Sequence, residues 1–343
     1  MNNLYHLRLA NVEDRKEIMS FIQAHWMDTH ILAHDTEFFN YQYMFGEELQ
    51  FILALGSDAK IKGILGYIQY APKSIEQDIF LALWKVIPNQ SDHTLGIKLL
   101  QYLIENIKHR HIYCVGINKK STGIYKFLGY QTGKLDHYVA FNPDCTKYLI
   151  SNPPSLFKKI KLNCKYEFRR SKDVEELLVK LKDTNFYHKK VPFKSLEFIS
   201  HRYKDHPYYS YIFYEVVDKG LFIGIAVLRE VSYKKSLAIR IIDVIAANEN
   251  VTLIINDLAS ILNDSDYEYI DVYASGLSDK ILLSGNYEQV TNSKDMIVPD
   301  HFSPFKKSNT DILFTTSYTS KIVLFKGDGD QDQPRLADFS GRV

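Results

Sequence analysis

The sequence predicts an α/β protein of the α+β type: two units in tandem, each a mixed, mainly antiparallel sheet flanked by helices. Three observations predict it. The β-rich runs QFILALG, KGILGYIQY and DIFLALWKVI follow one another across short connections, as consecutive antiparallel strands do. An amphipathic helix and then a continuous apolar strand, HIYCVGI, come next. The same succession returns in the second half as GLFIGIAVLREV, SLAIRIIDVIA, VTLIINDLASIL and YEYIDVYA. A length of 343 residues suits two domains, each able to bury its own core. The expected division is residues 1–150, a connecting segment 151–160 marked by NPPS and the basic run KKIK, and residues 161–343.

Taken in order, Leu4 to Leu9 alternate apolar and polar as a half-buried strand. Asn11 offers a cap for a helix whose Val12, Ile18, Phe21 and Ile22 fall at helical spacing. MDTHILAHDTEFFNYQYMF has weaker periodicity and reads as a loop with a short helix. After the three strands and Pro88, the residues Leu95, Leu99, Leu100, Leu103, Ile104 and Ile107 form one apolar helical stripe. NKKSTGIYKFLGY is a short helix closed at Gly129, and LDHYVAF ends the half as another strand. In the second half SDKILLSGNYEQV gives a short helix ending at Gly285. Gly63 then corresponds to Gly224, and Gly129 to Gly285.

Lys and Arg number 42 against 41 Asp and Glu, a net charge of +1, which lacks the basic excess that nucleic acid or an anionic membrane calls for. No run approaches the ~20 apolar residues of a membrane span. Cys114, Cys145 and Cys164 are far apart, with neither CxxC nor His at metal-ligand spacing, so neither a disulfide framework nor a structural metal is expected. The N-terminus becomes charged without an apolar signal core, and a cytoplasmic location is the expectation. The first strand lacks a following GxGxxG, against a dinucleotide-binding fold.

The order of elements from Leu4 to Asn142, with the motif IYKFLGYQTG, resembles the GNAT superfamily of acyl-CoA-dependent N-acyltransferases. The motif is similar to the family's lYeklGF signature, with Tyr125 four residues before Gly129, and Asn118 matches an asparagine often found after the buried strand. The family's phosphate loop, Q/R-x-x-G-x-G/A, is matched weakly by SDHTLG: Ser91 and Thr94 depart from it and Gly96 is retained. The resemblance implies acyl-CoA (acetyl-CoA or a longer ester) as co-substrate and no metal. Its pantetheine arm would lie between the strands DIFLALWKVI, at Val86 and Ile87, and HIYCVGI. Its pyrophosphate would meet the helix start at Thr94, Leu95, Gly96 and Ile97, where unpaired N–H groups and the helix dipole attract anions.

Acyl transfer from a thioester also needs a proton for the departing thiolate. Tyr125 is the candidate donor; the alternative is that it only packs on its helix. Asn118 is both a cofactor candidate and a helix cap. No carboxylate follows Asp78 on DIFLALWKVI, where many relatives keep a Glu that relays the amine proton. The segment HWMDTHILAHD is then the source of pocket groups: His30 and His34 as catalytic candidates, and His25, Trp26 and Asp35 as acceptor contacts, with a solvated loop or a metal site as rivals. Trp84 and His137 complete the expected pocket.

The second half has Ile281 where the first has Tyr125, and AANENV carries no glycine, so it reads as a degenerate unit that binds the acceptor or holds a homodimer. Arg240 and Asp243 are a buried polar pair or acceptor contacts. RYKDHPYYSY stacks on a sugar or base, or packs in the core; KGDGDQDQPRLAD is the opening of a calcium loop lacking its Glu, or a polar tail. The arrangement is similar to two-part acyltransferases of bacterial surface-polysaccharide synthesis, implying a nucleotide-linked amino sugar as acceptor. Two other classes stay open: a non-catalytic glycan-binding or scaffold protein, and an aminoacyl-tRNA-dependent transferase, against which the near-zero charge speaks.

Overall fold

The structure is a computed structural model that describes residues 5–336 apart from 73, 75, 76, 89–91, 162 and 292–294, so Leu4 and Ser91 lie outside the described residues. Strand β1 (His6–Asn11) ends where the Asn11 side chain accepts the N–H groups of Glu13 and Asp14, which turns the chain into α1 (Arg15–His25). Helix α1 buries Ile18, Met19, Phe21 and Ile22. The aromatic segment read as a loop with one short helix is two helices, α2 (Ile31–His34) and α3 (Thr36–Tyr43). Its ring-rich composition blurs the periodicity, yet Phe38, Phe39 and Tyr43 are all buried.

Strands β2 (Met44–Phe45), β3 (Glu48–Leu55), β4 (Ile61–Gln69) and β5 (Asp78–Val86) are antiparallel neighbours. Helix α4 (Leu95–Asn106) lays Leu95, Leu99, Leu100 and Leu103 on them; Ile104, at the margin of the stripe, stays 41% exposed. Strand β6 (His111–Ile117) runs parallel to β5, and α5 (Thr122–Phe127) closes at Gly129, whose φ of +81° suits only glycine without strain. Strand β7 (Gln131–Lys134) follows.

The two halves then exchange strands. LDHYVAF, expected to finish the first sheet, is strand β8 (Asp136–Phe141), and it crosses to the second. That sheet also holds β9 (Glu167–Ser171), β10 (Tyr211–Asp218), β11 (Leu221–Tyr233), β12 (Ser236–Ala246) and β13 (Tyr267–Ser275). Helices α6 (Val174–Lys182), α7 (Leu196–Ile199), α8 (Asn248–Leu258) and α9 (Asp279–Ser284) accompany it, with β14 (Glu288–Gln289) at its edge. After the hairpin β15 (His301–Phe302) and β16 (Phe305–Lys306), strand β17 (Leu313–Thr316) returns to the first sheet, between β6 and β7. The strand orders are β1-β3-β4-β5-β6-β17-β7 and β14-β8-β13-β12-β11-β10-β9. Each sheet is thereby completed by a strand from the opposite half.

The C-terminal segment lies between the two sheets. Strand β18 (Leu324–Phe325) pairs with β13. Gly327 then presses on Ile242 of β12, so closely that an added Cβ would lie 2.5 Å from the Ile242 side chain. Gly329 packs likewise on Phe80 of β5, and Gln331 covers Gly116 of β6. Lys194, buried, anchors this strap by pairing with both Asp328 and Asp243. Arg229 grips Asp332 through two contacts, of 2.6 and 3.1 Å. The segment is therefore not a solvated tail, and its three alternate aspartates do not converge: Asp328 and Asp332 take different cations on opposite sides of Asp330.

Candidate functional site

Strands β5 and β6 pair only from Asp78–Phe80 to His111–Tyr113 and then diverge. The gap is a cavity of about 450 Å³, walled by Trp84 and Val86 of β5 and Cys114 to Ile117 of β6, with Gly96 and Ile97 of α4 at one end and Tyr125 of α5 at another. Gly96 faces the Trp84 indole; a Cβ there would make an ordinary 3.5 Å contact, so the backbone is open toward the cavity. The N–H groups of a helix's first turn have no partner inside the helix, and they set a positive end at this rim.

Tyr125 is 2% exposed, edge-on to Trp84 at 5.7 Å between ring centres and stacked on Tyr130 at 5.9 Å. Burial, and then the neighbouring Cys114 thiol, push its hydroxyl well above the ordinary phenol value, so it stays protonated. Asn118 lines the cavity, and its side chain accepts the Ser121 N–H at 3.0 Å in the turn ahead of α5, whose cap position is Ser121.

His30 caps α2, its Nδ1 accepting the Leu32 N–H at 3.3 Å. Burial, and then the Arg335 guanidinium, lower it to about 4, so its ring is neutral near pH 7. His30 also lines a second cavity, of about 600 Å³, together with Thr29, Asp300, His301, Ser303 and Arg335. Met27, Asp330, Gln331 and Gln333 belong to both walls, so the two spaces meet at the strap. A third cavity of about 380 Å³ continues past His301 to Tyr208, Tyr209 and Arg229 in the second unit. Two of its lining residues, Asp300 and Lys326, pair with each other, and Asp300 also takes the buried Arg240 at 3.0 Å, which in turn binds Asp271 at 2.7 Å. Despite its burial, Asp300 is held well below the usual carboxylate range by Lys326 and Arg240.

The expected residues divide by position. Trp26, His30, Trp84, Val86, Gly96, Ile97, Asn118 and Tyr125 line the first cavity. His34 instead bonds the Asp28 carbonyl through Nε2, and Asp35 caps α3 at the Phe38 N–H, 2.8 Å away, while taking the Tyr208 hydroxyl. His25 is exposed against the Phe21 ring. His137 travels with β8 into the second sheet, where it bonds Asp271 at 2.9 Å and stacks on Tyr273, away from the pocket it was expected to line. Ile87 bonds the Lys62 carbonyl outside the lining, and Leu95 points into the core. Thr94 gives its N–H to the Asp92 carboxylate at 2.8 Å. A bulge at Ile242 puts Arg240 and Asp243 on the same face of β12, opposite Arg229 and Val227 of β11, yet they take separate partners: Asp243 joins Lys194 and Tyr203 rather than Arg240.

Sequence reasoning missed His93, Cys114, Asp330, Gln331 and Gln333, all on the first cavity's wall. The one available signal was the alternation of Asp in KGDGDQDQ, which carries no period that tells burial from solvation. Among the described residues no group of three or more His, Cys, Asp or Glu could hold a metal ion.

No family model matches the sequence, and no curated protein matches it. Solved structures do. A probable N-acyltransferase from Enterococcus faecalis V583 is similar over 91% of this chain and 72% of its own, with a TM-score of 0.54 and 11% identity. A GCN5-related N-acetyltransferase from Anabaena variabilis ATCC 29413 matches over the same shares, with a TM-score of 0.53 and 11% identity. The GCN5-related glucosamine N-acetyltransferase region of a fungal multi-domain GH3 β-N-acetylglucosaminidase has a TM-score of 0.50 and 13% identity; 91% of this chain aligns, spanning 38% of that protein. The chain has the GCN5-related N-acetyltransferase fold, in two sheet-containing units.

Proposed function

We propose that this protein is an acyl-CoA-dependent N-acyltransferase: the first unit (the sheet of β1 to β7, completed by β17) binds the thioester, and the amine enters between the units. The observation that carries the reading is the cavity in the β5–β6 splay, bounded by the α4 start and the Tyr125 hydroxyl and continuous with a second cavity. The chemistry follows from the residues. Backbone N–H groups at Gly96 and Ile97 suit a pyrophosphate. The unpaired edges of β5 and β6, with Trp84 and Val86, suit an amide-bearing arm. Tyr125, kept protonated by burial, supplies the proton for the thiolate. His30 stands neutral at the junction and accepts or orients rather than repels an ammonium.

For the acceptor, the second and third cavities offer Thr29, Ser303, His301 and Gln333 for hydroxyls, and Tyr208 and Tyr209 as ring faces. This supports a nucleotide-linked amino sugar, and the glucosamine acetyltransferase region with the same fold is consistent with it. A second reading has its own observation. Asp92 takes the Thr94 N–H and pairs with Lys98 at 2.6 Å, placing a carboxylate where a phosphate would approach. A chain so arranged would be a non-catalytic glycan-binding or scaffold protein. Calorimetric titration with acetyl-CoA and longer esters separates the two: binding at one site per chain supports the transferase, and no binding supports the scaffold. A panel of amines followed by thiol release then ranks acceptors, with nucleotide-linked amino sugars expected first.

A further inference from the structure

Strand β5 carries no carboxylate beyond Asp78, which is fully buried in a pair with Arg110 at 2.6 Å. A protonated amine arriving in the second cavity therefore meets no base from the first unit's sheet. The strap supplies one. Asp330 is the single carboxylate among the described residues lining the first cavity, and it lines the second as well. Its neighbours on the strap are committed: Asp328 to Lys194 and Asp332 to Arg229. Asp330 accepts hydrogen bonds from the neutral Gln331 amide, at 2.9 Å, and from its own backbone N–H, and among the described residues it forms no ion pair. Its position is set by close packing, since Gly329 lies flat on Phe80 and Gln331 fills the space over Gly116, whose φ is +93°.

We infer that Asp330 is the group that holds the acceptor's ammonium at the junction of the two cavities and takes its proton. The inference rests on reading the first cavity as the acyl-CoA site. The step balances. The Asp330 carboxylate removes one proton from the ammonium, and the freed amine forms the C–N bond at the thioester carbonyl. The C–S bond breaks, the thiolate takes the Tyr125 proton, and the second proton leaving nitrogen restores the phenol. Asp330 returns its own proton to water through the second cavity. Burial raises the Asp330 carboxyl, which makes it a stronger base than an exposed carboxylate; the Gln331 amide, then its own backbone N–H, and last Arg202 oppose that more weakly. Other titratable groups near it are the buried Tyr43 hydroxyl and the Cys114 thiol, His30 and His93 on the first cavity's wall, and Asp300, His301 and Arg335 across the second cavity. The arrangement makes the site composite: the base comes from a segment anchored in the second unit, so the decayed half is needed for turnover.

The test uses the full chain with Asp330→Asn and Asp330→Glu, titrated with acetyl-CoA and assayed against pH. Asp330→Asn is expected to keep acetyl-CoA affinity within about threefold and lose ~100- to 10,000-fold in kcat, with its acid limb gone. The loss should shrink at least about tenfold for an amine of low pKa that arrives unprotonated, and Asp330→Glu should restore part of the rate. Unchanged kcat and acid limb in Asp330→Asn, or an equal loss with the low-pKa amine, overturns the inference. Should the variants not fold, the chain itself decides through His30→Ala: an acid limb that persists supports Asp330, and one that vanishes assigns the base to His30. Failure of the unsubstituted chain to bind acetyl-CoA overturns the transferase reading instead.

Discussion

The two units contain the same splay in two conditions. In the first sheet, β5 and β6 part after three paired positions and leave about 450 Å³ between them. In the second, the parallel pair β12 and β13 also ends its register early, at Ile241 and Val272. There β18 pairs with Ala274 and Ser275, Phe325 sinks into the core, and Gly327 lies on Ile242. What remains beside Asp243, Val244 and Asp328 is a space of about 20 Å³, room for roughly one water. The half with Ile281 where the first has Tyr125 thus also has its groove filled by the chain's own backbone. The same strap then passes into the open splay, so the element that closes one site forms a wall of the other.

The sharpest way to break this contrast is Tyr125→Phe, which keeps the ring against Trp84 and removes the hydroxyl that carries the proton. Turnover should fall ~100- to 10,000-fold while acetyl-CoA binding stays near normal; unchanged turnover would shift the acid role to water. Lys194→Met tests whether the plug depends on its buried anchor. It strands Asp243 and Asp328 without their cation, and about 3–5 kcal/mol of stability should be lost in denaturant unfolding. A loss under 1 kcal/mol would show that packing alone holds the strap.

The strap's other anchor should appear in acid. Arg229 and Lys326 hold the buried Asp332 carboxyl well below its ordinary value, so its stabilising contribution is complete above the unfolded value of about 3.9 and is lost as pH falls below it. Melting temperature should drop from pH 5 to pH 3 in the unsubstituted chain and drop less steeply in Asp332→Asn; parallel curves would contradict the assignment. Ile281→Tyr restores the missing phenol to the second unit but not the space, so calorimetry should still count one acetyl-CoA per chain. Gly96→Ala is the mildest change. Its methyl meets Trp84 at an ordinary distance, so the fold should be untouched and KM for acyl-CoA should rise only a few-fold.

The parts of the site that were legible come from local signals. Tyr125, Gly129 and Asn118 sit in one short motif, and α4 declares itself by its stripe, so the groove's two ends could be placed from the chain alone. His34, Asp35 and His25 illustrate the limit: they belong to the same aromatic segment as Trp26, Met27 and His30, but only those three of the segment line the cavity. Which members of a His-rich segment face a site depends on helix breaks a residue or two wide, and composition does not reveal those.

The sequence by itself determined the strand succession, the amphipathic helices and the signature helix, though not the two helices of the aromatic segment. Each element so determined rests on interactions within a few residues: a cap, a stripe, a glycine at positive φ. Tertiary structure alone decided that Asp136–Phe141 leaves its own half and that Leu313–Thr316 replaces it, since alternation marks a strand but not the edge it joins. It also decided the fate of residues 324–336. Their aspartates are buried because Lys194 and Arg229, more than a hundred residues away in the chain, meet two of them and leave Asp330 between the cavities. A charge's environment is set by what folds against it, and no pattern of neighbours in sequence records that.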